Sequence, residues 1–381
     1  MVLLENIVFS GGGVKGIAFI GAMEALFENN LLNNLKSITG TSSGAFFALC
    51  YTLKYTLGEL KEILLRMDMK NMVSIDEENI FNYINNFGLD NGSHYKRIIS
   101  IIVNKKINKS SVTFRELYEY NSIKLNIVVT NLNDLKTEIF NYENTPDRDI
   151  AEATYISSCF PFYFIPHKEI FQKISNETSK GASEETSNET SNETSEETSN
   201  ETSEETSEET SEETSKGASN ETSEKTSEEI SDEMVKLYID GAITNHYPID
   251  FYNDKIDNTL GFIIYNDNAV GAVDNLFSFA YSILLCMAEQ LTQYKLENYK
   301  KNSVILKTDI STLDFKLNYD TKLELIKLGY DTTSEYLKTS AFKIEPTEES
   351  IEKEFSAAGE ENSERNPYNN YLFQRVRSKS I

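Results

Sequence analysis

Residues 5–16 read ENIVFSGGGVKG and residues 35–44 read LKSITGTSSG, so two short apolar runs each end in a glycine-framed turn. Helix-like sequence follows each turn. Further along, residues 259–265 and 303–307 read as strands, with helical patterns over 273–299 and 321–337. Strands that alternate with helices in this way favour an α/β fold with a mostly parallel sheet.

The second turn is predicted to expose a serine hydroxyl. Gly40 and Gly44 stand on either side of Ser42, and a nucleophilic serine at a cramped strand-turn-helix elbow needs glycines in these places. A plain Gly/Ser turn is a common alternative. The apolar strand before Ser42 and the apolar stretch 45–49 after it favour the nucleophile.

The first turn is predicted to stabilise negative charge, as an oxyanion hole does. Its glycines leave backbone amides unshielded, and the following helix adds the positive end of its dipole. A dinucleotide site has a similar glycine pattern but needs an acidic residue at the end of the next strand, and here that strand ends in the serine turn. The residues of this glycine loop are Gly11, Gly12, Gly13, Val14, Lys15 and Gly16.

Lys15 has two interpretations within the glycine loop. It orients the loop or attracts a lipid phosphate, or it is a solvated residue of the first helical turn. The sequence slightly favours the solvated residue.

A serine nucleophile needs a base, and the chain has only three histidines. His94 lies in a polar turn and His167 follows a proline at a strand end, so neither context singles out a catalytic group. Asp240 ends the strand-like run 236–239, and open α/β sheets place their sites at the carboxyl ends of strands. A carboxylate that merely caps a tight turn fits the same context equally well.

The order of these motifs resembles the patatin-like phospholipases, lipid acyl hydrolases that use a serine-aspartate dyad and no histidine. The motifs are GGGVKG at 11–16, GTSSG at 40–44 and DGA at 240–242. The resemblance covers roughly residues 6–266. Further segments that agree are VVTNL at 128–132, SSCFP at 157–161, FIP at 164–166 and NHYP at 245–248.

The resemblance implies a three-layer α/β fold with a mostly parallel central sheet flanked by helices. It implies Ser42 as nucleophile, Asp240 as base, the glycine-loop amides as oxyanion hole, and Gly241 and Ala242 as the aspartate turn. His246 becomes a structural neighbour. Ala242 stands where many members have a third glycine, a variation that the family accommodates.

The activity that the resemblance implies is of the phospholipase A or lysophospholipase type. The substrate is then a phospholipid or lysophospholipid, contact with a membrane surface is transient, and neither a cofactor nor a metal is required. A lipid substrate needs an apolar channel, although aromatic clusters are more often plain core. The aromatic candidates for the channel wall are Phe46, Phe47, Phe160, Phe162, Tyr163 and Phe164.

Residues 175–233 form a low-complexity insertion with a serine at every fourth position from Ser175 to Ser231. The insertion carries 20 acidic residues and 3 lysines, so most of the net charge of −25 lies there. This composition predicts disorder and argues against a nucleic-acid partner. The expected organisation is a catalytic domain over 1–344, interrupted by this insertion, and a charged, disordered tail over 345–381.

The chain is expected to be intracellular and cytoplasmic. It runs from Met1 into the first strand without a signal-peptide pattern, and its longest apolar stretch, around 276–288, is too short to span a bilayer. The three cysteines, Cys50, Cys159 and Cys286, are expected to be reduced core thiols.

Two other functions stay open at this point. One is a binding or scaffold protein on the same fold, whose dyad is unused and whose acidic insertion recruits an unknown partner. The other is a serine esterase in which His246 assists.

Overall fold

The computed structural model describes residues 3–74, 83–172, 233–265 and 273–340 together with Phe342. The predicted tail and all but the last residue of the predicted insertion lie outside these residues, so the domain boundaries stay predictions. The chain divides into two compact units. The first comprises residues 1–169 and 236–381, and the second comprises residues 170–235, of which the structure describes 170–172 and 233–235 as strand.

Eight strands form one sheet in the order β5-β6-β3-β2-β1-β7-β8, and β4 also pairs with β3. The pairs β1–β2, β1–β7, β2–β3 and β7–β8 are parallel, whereas β4 and β6 run antiparallel to β3. The predicted mostly parallel α/β sheet is therefore confirmed. The strands are β1 (Asn6–Phe9), β2 (Ser37–Thr41), β3 (Lys124–Asn131), β4 (Lys136–Phe140), β5 (His167–Gln172), β6 (Glu233–Asp240), β7 (Thr259–Tyr265) and β8 (Ser303–Lys307).

Helices cover the sheet. Every residue of β1 and β2, and all but the last residue of β7, is buried, as expected for parallel strands covered on both faces. The helices are α1 (Ala18–Glu28), α2 (Ser43–Thr52), α3 (Leu57–Arg66), α4 (Tyr83–Asn86), α5 (Ser93–Ile107), α6 (Phe114–Asn121), α7 (Ile150–Ser157), α8 (Ala242–Asn245), α9 (Leu276–Tyr299) and α10 (Tyr319–Thr339). Short 3₁₀ helices span Gly13–Ile17, Met69–Met72, Pro248–Asn258 and Lys300–Asn302.

The predicted bounds of β7 and β8 agree with the structure, whereas β2 lies two residues later than predicted. Helix α9 begins three residues later than predicted, because Asn275 caps it: its side chain accepts from the Ser278 amide. No helix of the described ranges is both long and apolar enough to cross a membrane. Cys50 and Cys159 are buried, but Cys286 on α9 is exposed, so the prediction of three core thiols was wrong for Cys286.

Candidate active site

Ser42 lies in the turn between β2 and α2, with φ 55° and ψ −121°. A non-glycine residue with positive φ is uncommon, and such strained residues cluster at functional sites. The turn is too tight for side chains at its ends. A Cβ atom on Gly40 would lie 2.3 Å from the Gly44 backbone, and one on Gly44 would lie 2.5 Å from the Ser10 carbonyl oxygen. Both glycines of the predicted elbow are thus required by packing.

The Ser42 hydroxyl is hydrogen-bonded to Asp240. Ser42 Oγ donates to Asp240 Oδ2 at 2.7 Å, and the Ala242 amide donates to Oδ1 of the same carboxyl at 2.8 Å. Asp240 is only 2% exposed. Burial raises its pKa to about 7, because desolvation penalises the charged carboxylate more than these two hydrogen bonds favour it.

The two residues meet because β2 and β6 end at adjacent positions along β3. Strand β2 pairs with residues 124–128 of β3, and β6 pairs with 129–131. Strand β4 pairs with residues 127–131 and so occupies the other edge of β3. Strand β2 therefore ends with Thr41 opposite Val128. Strand β6, which runs in the opposite direction, ends with Asp240 opposite Val129.

Asp240 is the last residue of β6 and so lies at the carboxyl end of a strand, as the sequence predicted. The direction of that strand was not predicted, and β6 is antiparallel to β3. Its carboxylate reaches the serine turn because β6 stops after three residues paired with β3.

Ser157, at the end of α7, connects the serine turn to the sheet. Its Oγ accepts from the Ser42 amide at 2.8 Å and donates to the Val128 carbonyl at 2.6 Å. Its own carbonyl accepts from the Gly241 amide at 3.3 Å. Ser157 thus contacts both the serine turn and the aspartate turn. It belongs to the SSCFP segment, but nothing in the sequence assigned it this position.

The Asp240 backbone is also fixed on both sides. Its amide donates to the Cys159 carbonyl at 2.9 Å, and its carbonyl accepts from Thr130 Oγ1 at 2.9 Å. The backbone is therefore held independently of the Ser42 contact.

The glycine loop faces the same cavity as Ser42, but only some of its amides are available. The amides of Gly11, Val14 and Lys15 donate to carbonyls of His246, Thr312 and Gly12 respectively. Gly16 lies inside a 3₁₀ helix and packs against Ser43. Within the described ranges, no acceptor takes the amides of Gly12 and Gly13, which both line the cavity.

Gly13 has φ +55°, and a Cβ atom there would lie 2.1 Å from the Thr312 carbonyl oxygen. Glycine at this position therefore lets the loop adopt a left-handed backbone conformation in close contact with the Thr312 carbonyl. The sequence pattern predicted an oxyanion hole over all six loop residues. In the described part of the structure, the backbone amides of Gly12 and Gly13 are the ones left available to a bound oxyanion.

Lys15 is buried, with 3% of its surface exposed. The interpretation as a solvated first-turn residue was therefore wrong. Burial lowers the pKa of Lys15 to about 8, although the negative charge of Glu289 on α9 opposes that shift. Lys15 is thus a buried amine that lines the cavity.

His246 is half-buried beside the glycine loop and lines the same cavity as Ser42. A Cβ atom on Gly11 would lie 2.9 Å from His246 Nδ1, so the imidazole packs against the loop backbone. Burial and the charge of Lys15 lower its pKa to about 4, and the ring also bonds to the Ile264 backbone. The Ser42 hydroxyl donates to Asp240, not to this imidazole.

The other two histidines lie elsewhere. His94 is exposed on α5. His167 lies beside Glu152 and Glu169, and the possible ligand atoms of these three residues are within 4.8 Å of one another. Arg148 Nη2 donates to Glu169 at 2.9 Å, so this group already contains a fixed cation.

A cavity of about 550 Å³ opens beside Ser42 and Asp240. This volume is within the range of roughly 300–1,000 Å³ that is usual for small-molecule sites. Of the six aromatic residues predicted for a channel wall, Phe46, Phe47, Phe160 and Phe164 line the cavity. Phe162 and Tyr163 are not among the lining residues. Helix α9 contributes Tyr281, Leu284, Leu285 and Ala288 to the wall.

The fold and the site together define an α/β protein with a serine-aspartate pair at an apolar cavity. A sequence model described as Patatin-like phospholipase matches residues 7–251, which is more than half of the chain. The chain belongs to the patatin-like phospholipase family, a family of lipid hydrolases. The resemblance seen in the sequence is confirmed.

Related proteins and solved structures match different shares of this chain. The uncharacterized protein R571 of Acanthamoeba polyphaga mimivirus is 24% identical over 347 residues, which cover 88% of this chain and 94% of that protein. The probable lipid hydrolase 463L of Invertebrate iridescent virus 6 is 27% identical over 164 residues, or 43% of this chain and 56% of that protein. Among solved structures, VipD of Legionella pneumophila shows 14% identity and a TM-score of 0.46, covering 88% of this chain and 67% of VipD.

Proposed function

We propose that this protein hydrolyses fatty-acyl esters of phospholipids or lysophospholipids with Ser42 as nucleophile and Asp240 as base. The observation that carries the proposal is the 2.7 Å hydrogen bond from Ser42 Oγ to Asp240 Oδ2. A positioned base within hydrogen-bond reach is what activates a hydroxyl nucleophile. A raised pKa also makes this carboxylate a stronger base than an exposed aspartate.

In the first step, Ser42 Oγ attacks the ester carbonyl carbon while its proton moves to Asp240 Oδ2. The carbonyl π electrons move to the oxygen, and the amides of Gly12 and Gly13 donate to the resulting oxyanion. The tetrahedral intermediate then collapses. The bond to the alcohol oxygen breaks, that oxygen takes the proton from Asp240, and an acyl-serine remains.

In the second step, water replaces the alcohol. Asp240 takes a proton from the water as its oxygen attacks the acyl carbon, and the same amides donate to the second oxyanion. Collapse releases the fatty acid and returns the proton to Ser42 Oγ. The apolar walls from α2 and α9 suit the acyl chain, because burying hydrocarbon there removes it from water.

Labelling with a fluorophosphonate probe tests the nucleophile before the best substrate is known. We expect the full chain to be labelled, and Ser42→Ala and Asp240→Asn to lose labelling. Ser43→Ala is the matched control, because Ser43 Oγ is buried next in the chain and has no hydrogen-bond partner within the part of the chain that the structure describes. Labelling that persists in a folded Ser42→Ala variant would overturn the assignment.

Lipid hydrolysis tests the substrate class. Enzyme that the fluorophosphonate probe labels is incubated with one of three lipids, and the released fatty acids are identified. The lipids are phosphatidylcholine with different acyl chains at its two positions, lysophosphatidylcholine and a triacylglycerol. We expect release from at least one of the first two. Release from the triacylglycerol alone would contradict the phospholipid proposal while leaving the dyad intact.

His246→Gln addresses the histidine-assisted alternative. The proposal expects this variant to keep its labelling rate within a few-fold, because Asp240 already bonds the serine hydroxyl. Loss of labelling in a folded His246→Gln variant would favour the assisted mechanism instead.

A further inference from the structure

The outer face of α9 carries a continuous row of large apolar side chains that are exposed to solvent. Their spacing of three or four residues places them on one face of the helix. From first to last the row runs roughly 27 Å, at about 1.5 Å per residue. The row, called here the outer stripe, consists of Leu276, Phe279, Ile283, Met287, Leu291 and Tyr294, each between 46% and 76% exposed.

A second face of α9 lines the cavity. Tyr281, Leu284 and Ala288 face the same cavity as Ser42, and the ring of Tyr281 lies 5.5 Å from that of Phe160. At about 100° per residue, these side chains lie roughly 80–140° around the helix from the middle of the outer stripe. The helix is therefore apolar on both sides, although such helices are normally buried on both sides.

The position of this helix connects the outer stripe with the cavity. Cys286 and Gln293 are exposed, and both also line the cavity. They lie at the boundary between the two faces of α9, so the cavity reaches the surface along the edge of the outer stripe. A lipid leaving an aggregate that covered the stripe would enter the cavity there.

The charges along α9 also suit a lipid surface. Residues 276–288 contain no charged side chain. The exposed Tyr294 comes later in the helix, and the exposed Lys300 and Lys301 follow its end. Aromatic and lysine side chains that follow an apolar face match the polar boundary of a lipid aggregate.

The C-terminal half of α9 is held to the rest of the fold. Lys295 Nζ donates to Asp250 Oδ1 at 2.7 Å and to the Tyr247 carbonyl at 3.0 Å. The outer stripe is therefore presented on an anchored helix.

We propose that the outer stripe docks on the surface of a phospholipid aggregate and delivers acyl chains to the cavity behind the same helix. This inference rests on the proposed function, since the cavity must accept a lipid. Docking is driven by burial of apolar surface. It therefore requires no anionic lipid and depends little on salt, which fits a chain with a net charge of −25.

Vesicle binding tests the docking without hydrolysis. The full chain carrying Ser42→Ala is sedimented with phosphatidylcholine vesicles, alone and with the added pair Ile283→Asp and Met287→Asp. The control adds Phe27→Asp and Leu135→Asp, two apolar residues elsewhere that are 65% and 83% exposed. We expect partitioning to fall at least tenfold for the stripe pair and to stay within twofold for the control. Equal partitioning of both would overturn the proposal.

Two further measurements separate this inference from its alternatives. With Ser42 intact, the stripe pair should hydrolyse a water-soluble short-chain ester within threefold of wild type but lose at least tenfold on phosphatidylcholine vesicles. If wild type cleaves neither substrate, the proposed function fails while the sedimentation result still decides the docking. Light scattering decides the remaining alternative, since a dimer that the stripe pair dissociates would assign the surface to a second copy of the chain.

Discussion

The Ser42–Asp240 pair and helix α9 border one cavity but differ in what surrounds them. The pair is buried, and its backbone amides and carboxyl oxygens bond to Ser157, Cys159 and Ala242. The outer face of α9 presents apolar side chains to solvent. The reactive atoms are fixed by contacts within the fold, whereas the surface beside the entrance leaves apolar area that only another apolar surface would cover.

The two regions carry different energetic costs. Burial of the Asp240 carboxylate raises its pKa, so the ionised form is disfavoured in the folded protein. Exposure of the outer stripe leaves apolar area in water. The buried carboxylate lowers stability, and the exposed outer stripe lowers solubility. The first serves the proposed proton transfer from Ser42, and the second serves the proposed docking on lipid.

Asp240→Asn should have the largest effect, and it should change activity and stability in opposite directions. Losing the base should lower kcat by about 10²–10⁴-fold. The free energy of unfolding at pH 8 should rise by up to about 4 kcal/mol, because a pKa raised from 3.8 to about 7 measures the cost of the buried charge. Ester hydrolysis and chemical denaturation measure the two quantities. An inactive variant that is also less stable at pH 8 would contradict the burial argument.

Gly40→Ala should destabilise the buried serine turn. The new Cβ atom would lie 2.3 Å from the Gly44 backbone, which has no flexible end to move. We expect a loss of about 3 kcal/mol or more in the free energy of unfolding. Gly58→Ala is the matched control, since a Cβ atom there meets nothing within 4 Å. Similar stabilities for the two variants would show that the serine turn tolerates side chains.

Ser157→Ala should loosen the serine turn without touching the reactive atoms. The Ser42 amide and the Val128 carbonyl would both lose a buried partner, at a cost of about 2 kcal/mol. A positioning role predicts lower kcat with little change in KM. Ser100→Ala is the control, because Ser100 Oγ donates only to the Lys96 carbonyl of its own helix. A shift in KM alone would argue against positioning.

Much of this site was predictable from the sequence, but the contacts around it were not. The glycine turns and Asp240 lie in local patterns, and each strand-turn-helix pattern depends on residues close in the chain. The antiparallel direction of β6 was missed because an apolar run reads the same in either direction. The occupied amides of Gly11 and Val14 depend on His246 and Thr312, which lie far along the chain.

The two faces of α9 show the same limit. The sequence predicted a helix over 273–299 and an apolar stretch at 276–288 that is too short to span a bilayer, but neither pattern indicated which face of the helix remains exposed. Periodicity identifies a helix, but burial depends on which neighbours cover it.

The pH dependence of hydrolysis should report the burial of Asp240. The proposed base acts only when ionised, so kcat/KM for a water-soluble ester should fall about tenfold per pH unit below about 7. Stability should change the other way. The folded pKa exceeds the ordinary value, so the free energy of unfolding falls as the pH rises from about 4 to about 7. An activity limb near pH 4 would mean that Asp240 is solvated in the working enzyme.

The smallest effect should come from the outer face of α9, where one helix carries both an exposed and a cavity-lining apolar residue. Met287→Ser removes an exposed side chain, so the free energy of unfolding should change by less than about 0.5 kcal/mol. Leu284→Ser, one helical turn earlier on the cavity wall, should cost about 1–2 kcal/mol and weaken hydrolysis of long-chain esters more than of short-chain ones. Chemical denaturation of both variants measures the free energy of unfolding, and hydrolysis rates on esters of increasing acyl-chain length measure the effect on activity. Equal losses at the two positions would mean that Met287 is covered in solution, and that the outer stripe is an internal contact of the protein.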